Sequence, residues 1–115
     1  MTYSLQTRAG TGNAHHREIA LSGRVYAGAA PELRAALEQA VAGADTILVD
    51  ASALEQIDAV ALRTFVDVLK RLRPRNGRLL SFGLHPTIRR TFELTSLDEV
   101  VSIAADRNEA LRAIA

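Results

Sequence analysis

The chain has no cysteine and no tryptophan among its 115 residues, and its aromatics are limited to two tyrosines and three phenylalanines. Without thiols there is no disulfide framework, no thiolate metal site and no cysteine nucleophile. No apolar run approaches the roughly 18–20 residues of a membrane span. Met1 to Ala14 is polar and lacks the apolar stretch of a secretory signal. The expected location is the cytoplasm, with no membrane insertion. The phosphate-cradling patterns GxxxxGK[ST] and GxGxxG are also missing. What is present is 48% hydrophobic and 23% charged residues, a balance that suits one domain, residues 1–115, with an aliphatic core.

Periodicity supplies the elements. Tyr3, Leu5 and Thr7 alternate with Ser4 and Gln6, the pattern of a half-buried strand, and Gly10 to Asn13 reads as the turn after it. A second strand is expected over Glu18 to Ser22, with Ile19 and Leu21 on one face. Pro31 and Glu32 mark the first turn of a helix that carries Leu33, Ala36, Leu37, Ala40 and Val41 and stops at Gly43. Thr46 to Val49, ended by Asp50, is a short β-branched run suited to the centre of a sheet. Asp58 is placed to cap a second helix running to Arg73, since Pro74 disfavours helical geometry in the residue before it. Its face of Leu62, Phe65, Val66 and Leu69 is expected to pack onto a sheet containing Ile47, Val49, Leu79 and Phe82.

After an Asn76-Gly77 turn, Leu79 to Phe82 reads as a strand. Pro86 opens a helix bearing Ile88 and Phe92, Val100 to Ile103 is a last strand, and Asp106 with Glu109 resembles a capping box for a final helix. The order β-β-α-β-α-β-α-β-α predicts an α/β fold with a mixed, mainly parallel sheet of about five strands and four helices.

Candidate chemistry is sparse. Asp50 and Asp58 fall where ligands of open α/β sheets gather, at strand ends. A phosphorelay receiver would need an acidic pair after the first strand and a lysine near a later one. Neither Arg8 to Gly12 nor Ser81 to His85 provides them. Asp58 is therefore read as a helix cap and Asp50 as a turn-forming acceptor. His15 and His16 are adjacent, a spacing that does not converge two metal ligands, and are placed in a surface loop. His85 has neither a nucleophile nor an orienting acid at matching positions. Arg63, Lys70, Arg71, Arg73, Arg75, Arg78, Arg89 and Arg90 cluster in the second half, with Asp67 the only acid between Arg63 and Arg90. That is either a docking face or solvated helix ends; without interleaved aromatics, and at a net charge of +1, it does not indicate nucleic acid. No enzyme activity, metal or cofactor is expected.

The stretch from Asp50 through Asp58 to Leu62 (DASALEQIDAVAL) resembles the central signature of the STAS family (sulphate transporter and anti-sigma factor antagonist). There an aspartate-ended strand leads through a short loop to a D-S-[S/T]-G-L helix start. Leu21 to Tyr26 resembles the family's turn after the second strand, and Pro86 to Asp98 its later helix and turn. The resemblance implies a protein-binding module whose partner is a kinase-like anti-sigma factor, with phosphorylation at the helix start as the switch. Here the motif departs. Val60 occupies the acceptor position, Ala59 that of the preceding serine and Ala61 that of the glycine, while Arg24 and Tyr26 replace acids of the neighbouring turn. Thr64 and Ser52 carry hydroxyls but not at the matching place. The expectation is a constitutive binder with Asp58, Ala59, Val60 and Arg63 at the centre of its partner surface, flanked by Arg24 and Tyr26; a homodimer is compatible with it. The alternative is an accessory or scaffold subunit of a stress-sensing assembly or lipid transporter.

Overall fold

Strands and helices alternate along the chain, and the sheet keeps them in sequence order. The computed structural model describes residues 3–9, 16–72, 74, 76–99 and 101–114. These form β1 (Tyr3–Ala9), β2 (His16–Val25), α1 (Ala30–Gly43), β3 (Thr46–Ile57), α2 (Ala59–Leu72), β4 (Arg78–Phe82), α3 (Pro86–Leu94), β5 (Ser102–Ala104) and α4 (Arg107–Ile114). Single 3-10 turns occupy Ala27–Ala29 and Leu97–Glu99. The strands lie side by side as β1-β2-β3-β4-β5. β1 is antiparallel to β2, and every later pair is parallel, so each parallel pair is joined by a helical crossover. This is the expected order and fold class. The predicted turn at Gly10 to Asn13, His15, Arg73 and Val100 lie outside the described residues.

Two strands are longer than their apolar runs. β3 does not end at Asp50 but continues to Ile57, so the stretch read as an approach loop is extended and paired with β2 through Ser22↔Ala53, Gly23↔Leu54, Arg24↔Gln56 and Val25↔Ile57. The register slips between Ala20 and Ser22 and again between Gly23 and Arg24. Gly23, at φ 77°, sits at the second slip, a backbone conformation that costs glycine little. These slips are why strict alternation fails in β3, where Ala51, Leu54 and Ile57 are the buried positions after Asp50. By the same pairing, most of the Leu21 to Tyr26 block is strand rather than turn.

The helices divide unequally between the sheet faces. On one face Ile19, Leu21, Ile47, Val49 and Leu79 pack with Leu33 and Leu37 of α1, Leu62 and Phe65 of α2, and Phe92 of α3. On the other, Leu48, Leu80 and Phe82 pack with Ala110 of α4. Phe82 therefore does not lie beneath α2 as expected. Side chains alternate along a strand, and Leu79 and Ser81 take the α2 side while Leu80 and Phe82 take the α4 side. Of the expected α2 face, Leu62 and Phe65 are in the core and Val66 is partly buried against it, whereas the side chain of Leu69 is outside the described set.

His16 is the first residue of β2, not part of a surface loop, and is buried. It shares its sheet face with Glu18, two residues on, which is also buried and accepts from Arg107 Nη1 of α4 at 2.9 Å. Beyond β4 the chain turns at Gly83, whose φ of 75° would strain any side chain. A methyl group there would also meet the Ser52 backbone, since its Cβ would lie 3.1 Å from the Ser52 nitrogen.

Candidate functional site

Asp58 joins two segments that are distant in sequence. Its backbone N–H donates to Val25 O at 3.1 Å, and its own carbonyl accepts the first helical bond, from Leu62 N, at 3.0 Å. Its carboxylate accepts from Ala61 N through Oδ1 at 2.9 Å, and from Ala27 N through Oδ2 at 2.8 Å. The first bond is the expected helix cap; the second ties the 3-10 turn after β2 to the start of α2. A carboxylate here also opposes the positive end of the helix dipole, and such charge-assisted bonds are short and strong. Beside it, the Tyr26 hydroxyl donates to Gln56 Oε1. Gln56 in turn lies opposite Arg24 in the β2–β3 register. Asp58, Tyr26 and Arg24 are thus brought to the same end of the sheet.

The phase of α2 determines what that end displays. Ala61, Leu62 and Phe65 point inward, which leaves Ala59, Val60 and Arg63 exposed. Positions three and four apart are neighbours on a helix, so these three form one patch. Val60 is 54% exposed and Tyr26 43%, two of the exposed large apolar side chains among the described residues. Ala61 is completely buried, which explains the need for a small residue where the motif has glycine.

The spare hydroxyls are differently disposed. Thr64 is buried within α2, inside the domain. Ser52 is exposed but donates to Asp50 Oδ1 at 2.6 Å, and that oxygen also accepts from Ser52 N at 3.0 Å. Asp50 is accordingly a local acceptor, as expected, although within a continuing strand. His85 precedes α3 in an extended conformation and makes no side-chain cap bond. No group of three histidine, aspartate or glutamate side chains converges on a metal position among the described residues.

Periodicity did not reveal two surface depressions. One, of about 330 Å³, lies between Tyr26, Gln56 and Ile57 on one side and Thr87, Ile88 and Thr91 of α3 on the other. The second, of about 250 Å³, lies between α2 and the turn after α3. Both depend on how α3 settles beside elements remote in sequence.

Comparison with known proteins identifies relatives of the chain. Residues 11–103 match the family model described as Mlab, STAS domain. An anti-sigma-B factor antagonist of Listeria monocytogenes is 33% identical over 89 residues, covering 76% of this chain and 78% of that protein. The crystal structure of an anti-sigma factor antagonist from Mycobacterium paratuberculosis superposes with a TM-score of 0.85 at 23% identity, covering 97% of this chain and 93% of that one. The Bacillus cell fate determinant SpoIIAA in its phosphorylated form gives a TM-score of 0.75 at 20% identity, over 97% of this chain and 100% of that one. At these identities the two structures establish the fold.

Proposed function

The chain belongs to the STAS domain family, and from that premise we propose that it is an anti-sigma factor antagonist: a non-enzymatic, cytoplasmic regulator that binds a protein partner through the start of α2. The partner that fits this reading is a kinase-like anti-sigma factor, and no cofactor or nucleic acid enters the interaction. The observation that carries the reading is Val60, an aliphatic side chain 54% exposed on a helix start whose backbone is fixed by Asp58. Val60 belongs to neither core cluster and adjoins exposed Ala59, and this small apolar patch on a fixed helix start supports a docking role for it. The similarity to an anti-sigma-B factor antagonist favours this partner class over a transporter or scaffold role.

Val60→Glu tests the surface. A carboxylate in the first turn suits the helix dipole by about 0.3–1 kcal/mol, so melting temperature should hold. Burying that charge unpaired against an apolar partner surface should weaken binding about 30-fold or more. Calorimetry with the anti-sigma factor that co-purifies from the native cell reads the affinity. Unchanged affinity in a stably folded variant removes this surface from the interface.

The same residues support a reading in which the binding is constitutive. Ala59 and Val60 offer no acceptor, and Thr64 is 2% exposed. Incubation with ATP and that anti-sigma factor should leave the start of α2 free of phosphate by mass spectrometry. Phosphate on Thr64 or Ser52 would overturn the constitutive reading and leave the fold untouched.

A further inference from the structure

The exposed patch at the start of α2 continues along the helix. Val60, Arg63, Asp67 and Lys70 follow one another at spacings of three, four and three residues, which places them in a single stripe. Arg63, Asp67 and Lys70 line one bank of the 250 Å³ groove, and Thr95 lines the other. The floor is apolar: Leu62 and Leu97 are buried and Val66 is half-buried, and all three line the groove. This volume is below the roughly 300–1,000 Å³ of sites that enclose small ligands. It is suited to one or two inserted side chains.

The charge of the rim selects among occupants. Asp67 is already engaged, its Oδ2 accepting from Arg34 Nη2 at 2.6 Å. That hydrogen bond from Arg34 is the main reason its carboxyl stays below the ordinary carboxylate range, so it remains ionised and tied to α1 at neutral pH. Arg63 and Lys70 are exposed and take part in no salt bridge among the described residues. An apolar floor is thus bordered by two exposed cations and by one acid that Arg34 holds from α1 and that both cations also attract, which leaves the rim with a net positive charge. The groove is also continuous with the patch assigned above to the partner.

We propose that this groove is the second half of the partner surface and receives an acidic, amphipathic segment of the protein partner. An aliphatic side chain of that segment seats on Leu62, Val66 and Leu97, and its flanking carboxylates face Arg63 and Lys70. The proposal rests on the binding function assigned above. Because the cations are exposed, they act mainly on encounter and specificity, and their contribution is screened by salt.

Photo-crosslinking distinguishes the two layers of this assignment. p-Benzoylphenylalanine is placed at position 60 or position 70 of the full chain, and each protein is irradiated with the purified anti-sigma factor that co-purifies with the wild type. Crosslinks from both positions are expected, with the position 70 product on a segment combining aspartate or glutamate with an aliphatic residue. Arg63→Gln with Lys70→Gln should lower affinity about tenfold and flatten its salt dependence, with only a small change in melting temperature. Crosslinking from position 60 alone overturns the groove and leaves the binding function standing. So does a position 70 product on a neutral or basic segment, or on a second copy of this chain. Silence at both positions removes the groove and the helix-start surface together.

Discussion

Phe65→Ala is expected to lower the free energy of unfolding by about 3–5 kcal/mol. The ring is 3% exposed in the middle of α2 and lies 6.5 Å from that of Phe92 on α3, tilted by 49°. It thereby links two of the three helices that lie over one sheet face, within the cluster that includes Ile47, Val49 and Leu79. Truncation to a methyl removes the buried ring and also leaves a cavity that the paired strands beneath cannot close by shifting. Small domains hold only about 5–15 kcal/mol in total, so a large share of this domain's stability depends on one side chain. Urea denaturation followed by circular dichroism measures it. A loss below about 1 kcal/mol would place Phe65 outside the core. It would also undo the phase of α2, and with it the exposure of Val60 and Arg63. Because Phe65 and Phe92 touch, Phe92→Ala added to Phe65→Ala should cost less than the two single changes summed.

That dependence shows why the candidate site was largely legible in the linear pattern of residues. The inward run of Leu62 and Phe65 fixes the helix phase, and the phase puts Ala59, Val60 and Arg63 outside. The Asp58 cap was legible as well, because a carboxylate just before an apolar helical period has one common use. Its second bond, to Ala27 N, was not, since nothing in a linear pattern shows that the turn after β2 lies beside α2. The same limit hid the groove between α2 and Thr95. Sheet parity failed where the sequence offers no alternation: Leu79 and Leu80 are both apolar, and only the presence of α4 on the second face decides that Phe82 points away from α2. Asp50 and Ser52 resemble a turn, yet β3 continues through them to Ile57. Their local hydrogen bonds do form, but within a strand held by the pairs that β2 provides beyond Asp50.

The buried position least visible in the sequence yields the other large effect. Glu18 lies within β2, 1% exposed by side chain, on the sheet face that α4 covers, and Arg107 reaches it from the first residue of that helix at 2.9 Å. α4 has eight residues, and its start is capped by Asp106 Oδ1 accepting from Glu109 N at 2.9 Å. Its apolar contribution is modest: buried Ala110, with Leu111 and Ile114 partly buried. Arg107→Ala removes one partner of a carboxylate held away from water, which is expected to cost about 1–3 kcal/mol, below the usual buried-pair loss because Arg107 is 38% exposed and other contacts to Glu18 stay in place. The Glu18→Gln variant separates charge from packing. That background has no buried charge for the arginine to pair with, so adding Arg107→Ala to it should cost under about 1 kcal/mol, and the double-mutant cycle should show coupling of at least about 0.5 kcal/mol. The loss should also be local first, with amide exchange rising in α4 before it rises in β3 or α2. Partner affinity, measured where the fold still holds, should not change, because the start of α2 is built on the opposite sheet face. A cost for Arg107→Ala that is the same in the wild type and in the Glu18→Gln background would mean that the arginine acts only through its packed stem, and that the ion pair does not hold α4 to the sheet.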